Sequence, residues 1–212
     1  MAAEAARAAA VSRGVRLEVL TVAWMAIESV VAIGAGIAAK SVLLTAFGVD
    51  SVVELISGVV LLWRLSVESK GAGAERVDRL EATTTKISAV LLVLLCMYVV
   101  ISSVAGFALG LRPEGSVAGI AVAAVALVAM PALAWGKARA NRIIGSASLR
   151  ADIAETTTCA YLAGVTLAGV VVSMVFGLWW IQYVAALALL IWLVPETREA
   201  IEAIGGEHHE HE

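Results

Sequence analysis

Long apolar blocks alternate with short polar breaks along this chain. Six blocks stand near 18–39, 42–64, 87–111, 117–136, 150–175 and 178–195. A helix needs about 20 apolar residues to cross a hydrocarbon core about 30 Å thick. The pattern therefore predicts an all-α membrane protein with six transmembrane helices. The breaks divide the chain into an N-terminal segment, 1–16, a membrane domain, 17–195, and a short tail, 196–212. The first segment has three arginines but no apolar core of signal-peptide type. It reads as a short cytosolic lead-in, with helical character, rather than a cleaved leader. Too few residues follow Pro195 for a folded domain.

Composition sharpens this. Of the 212 residues, 61% are hydrophobic and 16% charged. Soluble domains run at roughly 45–50% and 25%, so a soluble fold is excluded. The net charge of −3 says little, because the placement of charge matters more. Cys96 and Cys159 both fall inside spans and cannot form a solvent-side disulfide framework. No nucleic-acid partner is expected.

Charge placement sets the orientation. Thirteen of the fifteen basic residues lie on one side of a six-span arrangement, among them Arg7, Arg13, Arg16, Arg76, Arg79, Arg139, Arg142 and Arg198. Only Lys40 and Arg112 lie on the other. The positive-inside rule makes the basic side, with both termini, cytoplasmic. Trp179, Trp180 and Tyr183 mark the outer start of span six, and Trp63, Trp135 and Trp192 mark inner ends, as interfacial anchors do.

Between the spans, Ala74–Leu80 has the character of a short surface helix leading into span three, and the outer LRPEGS break is a tight turn on Pro113 and Gly115. The inner break around 137–149 is basic and partly helical. Its arginines suit anionic headgroups, or the steering of a cation. The terminal EHHEHE either binds a divalent cation loosely or is a polar, unstructured end.

Chemistry concentrates at two places. Asp50 and Glu54 stand four residues apart in span two, and Glu155 and Cys159 stand four apart in span five. Residues at that spacing share one helical face. A charged side chain at the bilayer centre costs roughly 2.5–3.5 kcal/mol on insertion scales. Two such acids need a partner, and no basic residue is expected inside a span. At about 1.5 Å per residue, Asp50 lies about 13 Å in from one face and Glu155 about 15 Å in from the other. Both pairs reach mid-membrane and meet if spans two and five touch. Small residues favour that contact: Gly48, Ser51 and Gly58 on span two, and Ala160, Gly164 and Ala168 on span five. Four donors from two helices suit a tetrahedral ion such as zinc, whereas magnesium and calcium prefer all-oxygen shells. Cys159 is either a soft ligand or a small packed hydrophobe.

The runs FGVDSVVELISGVVLLWRL and LRADIAETTTCAYLAGV resemble the membrane domain of the cation diffusion facilitator family. The resemblance covers roughly 17–200 and is specific in these two runs. It implies a midplane site in which Asp-x-x-x-Asp of span two becomes Asp50 and Glu54. The span-five pair, usually His or Asp with Asp, becomes Glu155 and Cys159. The Ala151–Asp152 step also matches. It further implies a homodimeric exporter of divalent metal in the plasma (inner) membrane, working by alternating access and proton exchange. Typical relatives carry a cytoplasmic domain after span six that these residues do not include. A dimer is then expected to form through membrane helices; Ser102, Gly106 and Gly110 either offer a seam for it or serve internal packing.

With no histidine at the site, protons are expected to ride on the carboxylates or the thiol, and an arriving ion displaces them. Glu28 in span one is a further buried acid. It either joins the site as a supporting group, proton carrier or gate, or hydrogen-bonds a serine of a neighbouring helix. Asp152 either guides cations at the inner mouth or caps span five. Thr156, Thr157 and Thr158 either steady ligands or bond their own helix. Expected partners are a divalent metal ion (zinc first, then cadmium, cobalt, iron, manganese or mercury), protons and the lipid bilayer. The alternative is a non-transporting metal-binding, sensing or scaffold protein. An enzyme is not expected, because no nucleophile–base pair is visible.

Overall fold

The computed structural model of the chain describes residues 2–68, 74–145 and 147–206. They form six helices: α1 Ala2–Ala38, α2 Val42–Glu68, α3 Ala74–Ala108, α4 Val117–Ile144, α5 Ala147–Phe176 and α6 Ile181–Gly206. Each contains a stretch long and apolar enough to cross a membrane, and no strand occurs among the described residues. The expected EHHEHE tail lies outside the described residues.

Helices run on past the expected spans in three places. The expected helix over Ala74–Leu80 does lead into span three, as one helix, α3, unbroken from Ala74 to Ala108. Its Glu, Arg, Leu and Lys are good helix formers, and nothing interrupts them. The second is α4, which holds Pro131 in its interior and continues eight residues past the expected end of its span to Ile144, in the break expected to be partly helical. The third is α6, which continues past Pro195 to Gly206. Proline removes one backbone donor, and tertiary packing holds the helix through it. Thr197 is buried there, donates to Leu193 O at 2.6 Å, and lies 3.5 Å from the Cys96 sulfur of α3.

The break between α4 and α5 is short. Gly145 takes φ 71°, a left-handed conformation that suits a residue without Cβ, and its N–H closes α4 on Asn141 O. The chain therefore reverses within about two residues, and α4 and α5 lie side by side from that end onward.

α2 occupies the centre, touching α1, α3, α5 and α6. Leu43, Leu44 and Phe47 of α2 pack with Leu95, Met130, Leu162 and Leu189 in one continuous core. Outward faces are apolar as well: Val30, Ile37, Val104, Val128 and Val175 are exposed. Such a surface suits lipid rather than water.

The small residues serve other contacts than expected. A Cβ on Gly48 would stand 2.7 Å from Ile33 N and 3.0 Å from Ala32 Cβ, so Gly48 seats α2 on α1, not on α5. Ser51 also faces α1. Gly164 faces Leu127 of α4, and Ala168 is exposed. Contact between α5 and α2 uses Gly169, against Leu43. In the α3 seam, Gly106 is covered by the ring of Tyr183 from the same chain. Tyr183 is accordingly no interfacial anchor: it is buried and donates to Leu111 O at 2.9 Å.

Candidate metal site

α2 carries Asp50 and Glu54 into the core, 3% and 4% exposed. They share a face because they are one helical turn apart. Among the described residues, neither carboxylate oxygen of Glu54 meets a nitrogen or oxygen donor. A buried carboxylate without such a donor is costly, and a bound cation would satisfy it. The ionisable neighbours of Asp50 include Glu54, Glu196, Glu28 and Glu155. Those of Glu54 are Asp50, Glu155 and Glu196, with the Cys159 thiol beside it.

α5 brings Cys159 to the same region, fully buried. Its sulfur lies 3.6 Å from Glu28 Oε1. Glu28 is held from two sides: Ser51 Oγ donates to Oε1 at 2.8 Å, and Trp24 Nε1 donates to Oε2. Both expectations for Glu28 thus meet, since it bonds a serine of α2 and also stands against the thiol. Trp24 escaped sequence reasoning. Its signal was a tryptophan far from either interface, four residues before an acid.

Glu155 is half-buried one turn away. Its charged neighbours are Glu196, Asp152, Lys137 and Glu18. It therefore links the Asp50–Glu54–Cys159 region to a second charged cluster nearer the termini. Among the described residues, no three His, Cys, Asp or Glu side chains stand close enough together to hold a metal ion. The four expected donors share one region, but in this conformation they do not converge on a point.

The second cluster corrects the expectation that spans carry no basic residue. Lys137 is completely buried in α4. Its Nζ lies 2.8 Å from Glu18 Oε2 and 2.7 Å from Asp152 Oδ2, and it donates to Thr156 Oγ1 at 3.3 Å. The reason is the length of α4: Ala126, Met130, Ala134 and Lys137 form one buried stripe at helical spacing. That stripe was readable but was cut short at 136. Asp152 does not cap α5, which begins at Ala147; its carboxylate is committed to Lys137. Gly58 leaves room for Glu18, whose Oε1 would lie 3.0 Å from a Cβ there. Glu18 was missed because it opens an otherwise apolar span.

The three threonines bond their own helix: Thr156 to Asp152 O, Thr157 to Ile153 O and Thr158 to Ala154 O. Only Thr156 has a second role, accepting from Lys137. Glu196 of α6 was also missed, because hydropathy falls at Pro195 while the helix continues.

At the opposite end the helices are fastened by neutral groups. Ser41 Oγ donates to Gln182 Oε1 at 2.7 Å, and Gln182 Nε2 donates to Ser173 Oγ at 3.1 Å. Together these bonds join the start of α2 to α6 and α5.

Residues 19–202 match the family described as the cation efflux transmembrane domain. No curated protein matches the chain.

Proposed function

The chain belongs to the cation efflux family, whose members are transporters rather than enzymes, and on that premise we propose that it exports zinc or a similar divalent ion from the cytosol. The ligands in this reading are Asp50, Glu54, Glu155 and Cys159, with Glu28 supporting Cys159. The observation that carries it is the buried Glu54 carboxylate, which meets no nitrogen or oxygen donor among the described residues and stands against a buried thiol. A thiol among carboxylates favours a softer ion over magnesium or calcium.

Transport proceeds by alternating access. The donors gather around the ion when it arrives and separate when it leaves. Ligands must be deprotonated to bind metal, so each ion that binds displaces protons, and release lets them return. Four ionised ligands would place −4 against +2, so at least one proton stays with the loaded site. The bias of Lys and Arg toward the termini supports a cytoplasmic placement of both ends. The reading keeps a homodimer through membrane helices. The exposed apolar face of α3, with Leu94, Ile101 and Val104, is the surface considered for it.

The test is metal uptake into vesicles holding the purified protein. Zinc uptake is expected to be driven by an acidic interior and to be lost in Asp50→Ala. Uptake indifferent to the pH gradient removes proton exchange, and no uptake by the intact protein removes transport.

A further inference from the structure

We propose that Lys137 is a tethered counter-cation that closes the termini-bearing end of the cation path and yields Glu18 and Asp152 to an arriving metal ion. This rests on the transport reading above.

One nitrogen holds three helices. The Lys137 ammonium of α4 meets Glu18 of α1 at 2.8 Å and Asp152 of α5 at 2.7 Å, with Thr156 at 3.3 Å. Glu18 Oε2 is held by that ammonium, and Oε1 has no hydrogen-bond partner among the described residues. Two carboxylates face one ammonium. The cluster sets one positive charge against two groups able to carry a negative one, in a place where water screens little. Such a cluster attracts a second cation and can exchange the one it has.

Its position puts it in the way. Asp152, Glu155, Thr156 and Cys159 follow one another along one face of α5. Lys137 holds the first of them, and its charge also acts on Glu155. An ion coming from the termini-bearing end meets the ammonium one turn before the first proposed ligand. The opposite end differs in kind, because Ser41, Gln182 and Ser173 are joined by neutral hydrogen bonds. Positive charge competes directly with an ammonium for carboxylates, but not with an amide for hydroxyls. Of these two fastenings, the Lys137 cluster is thus the one built to respond to a cation.

The test uses the full chain in vesicles with Cys96→Ser, which leaves Cys159 as the single thiol. A membrane-impermeant, positively charged methanethiosulfonate is added to one face at a time, and the rate of Cys159 modification is read. The variants are Lys137→Arg, Lys137→Met, and the wholly neutral E18Q/K137M/D152N. From one face, Lys137→Met and the triple variant are expected to react at least about tenfold faster, as a shifted closed–open population requires. Lys137→Arg, which keeps the charge, is expected to stay near the parent rate. If Lys137→Met does not fold, the triple variant decides. A triple variant that reacts at the parent rate overturns the proposal, as does Lys137→Arg reacting as fast as the neutral variants. Zinc protection of Cys159 separates the two readings. Fast modification of the neutral variants without zinc protection sinks the metal site and leaves the gate standing.

Discussion

The Cys159 sulfur lies 3.6 Å from Glu28 Oε1, which joins α1 to a constellation otherwise built from α2 and α5. Glu28 is further oriented by Ser51 and Trp24. Groups that hold a ligand without touching the metal commonly matter by 10–100-fold in affinity. Glu28→Gln keeps the shape and removes the charge. It is expected to weaken zinc binding by about 10–100-fold, read by titration of the purified protein. Unchanged affinity assigns Glu28 to packing alone.

Cys159→Ser tests the soft ligand. The hydroxyl is a harder donor than the thiolate. Zinc and cadmium content of the purified protein should fall, cadmium more steeply. Unchanged content of both makes Cys159 a packing residue.

Asp50→Ala separates transport from a structural site. The variant should reach the membrane in normal amount and lose metal resistance in cells. A variant that fails to accumulate would point to a site needed for folding.

Lys137→Met should lower stability strongly. Removing one partner of a buried ion pair costs about 3–5 kcal/mol, because the remaining charges are left uncompensated. The melting temperature in detergent should fall accordingly, and E18Q/K137M/D152N should recover most of it. Equal melting of Lys137→Met and the parent would contradict the buried pairing.

The α1–α2 contact gives a matched pair of glycine tests. Gly48→Ala places a Cβ 2.7 Å from Ile33 N and forces the helices apart. Overpacking of this kind costs about 1–3 kcal/mol. Gly34→Ala meets nothing within 4 Å and should be neutral or slightly stabilising through helix propensity. Thermal melts of the two variants, compared with the parent, decide it.

Six membrane helices, the paired acids of span two and the pair of span five were legible from residue type and spacing alone. The acids stood out because charge is rare in apolar blocks. Glu18 and Glu196 were not legible, because each lies near the edge of a block, where charge is ordinary, and Lys137 was legible only by following the buried stripe of α4 past 136. Only packing shows that Lys137 is buried, that α6 continues through Pro195, and that Gly48 faces α1.

Local sequence thus determined the helices, since hydropathy over about 20 residues is enough to place a span. It also determined which residues share a face, since helical periodicity is a property of the backbone. Tertiary structure decided which faces meet. The choice of neighbour for α2, the Glu28–Cys159 approach and the Glu18–Lys137–Asp152 cluster join residues up to 134 positions apart. Such contacts arise from the packing of whole helices, where close approach and charge compensation across several helices select one arrangement, and no single stretch of sequence carries that information.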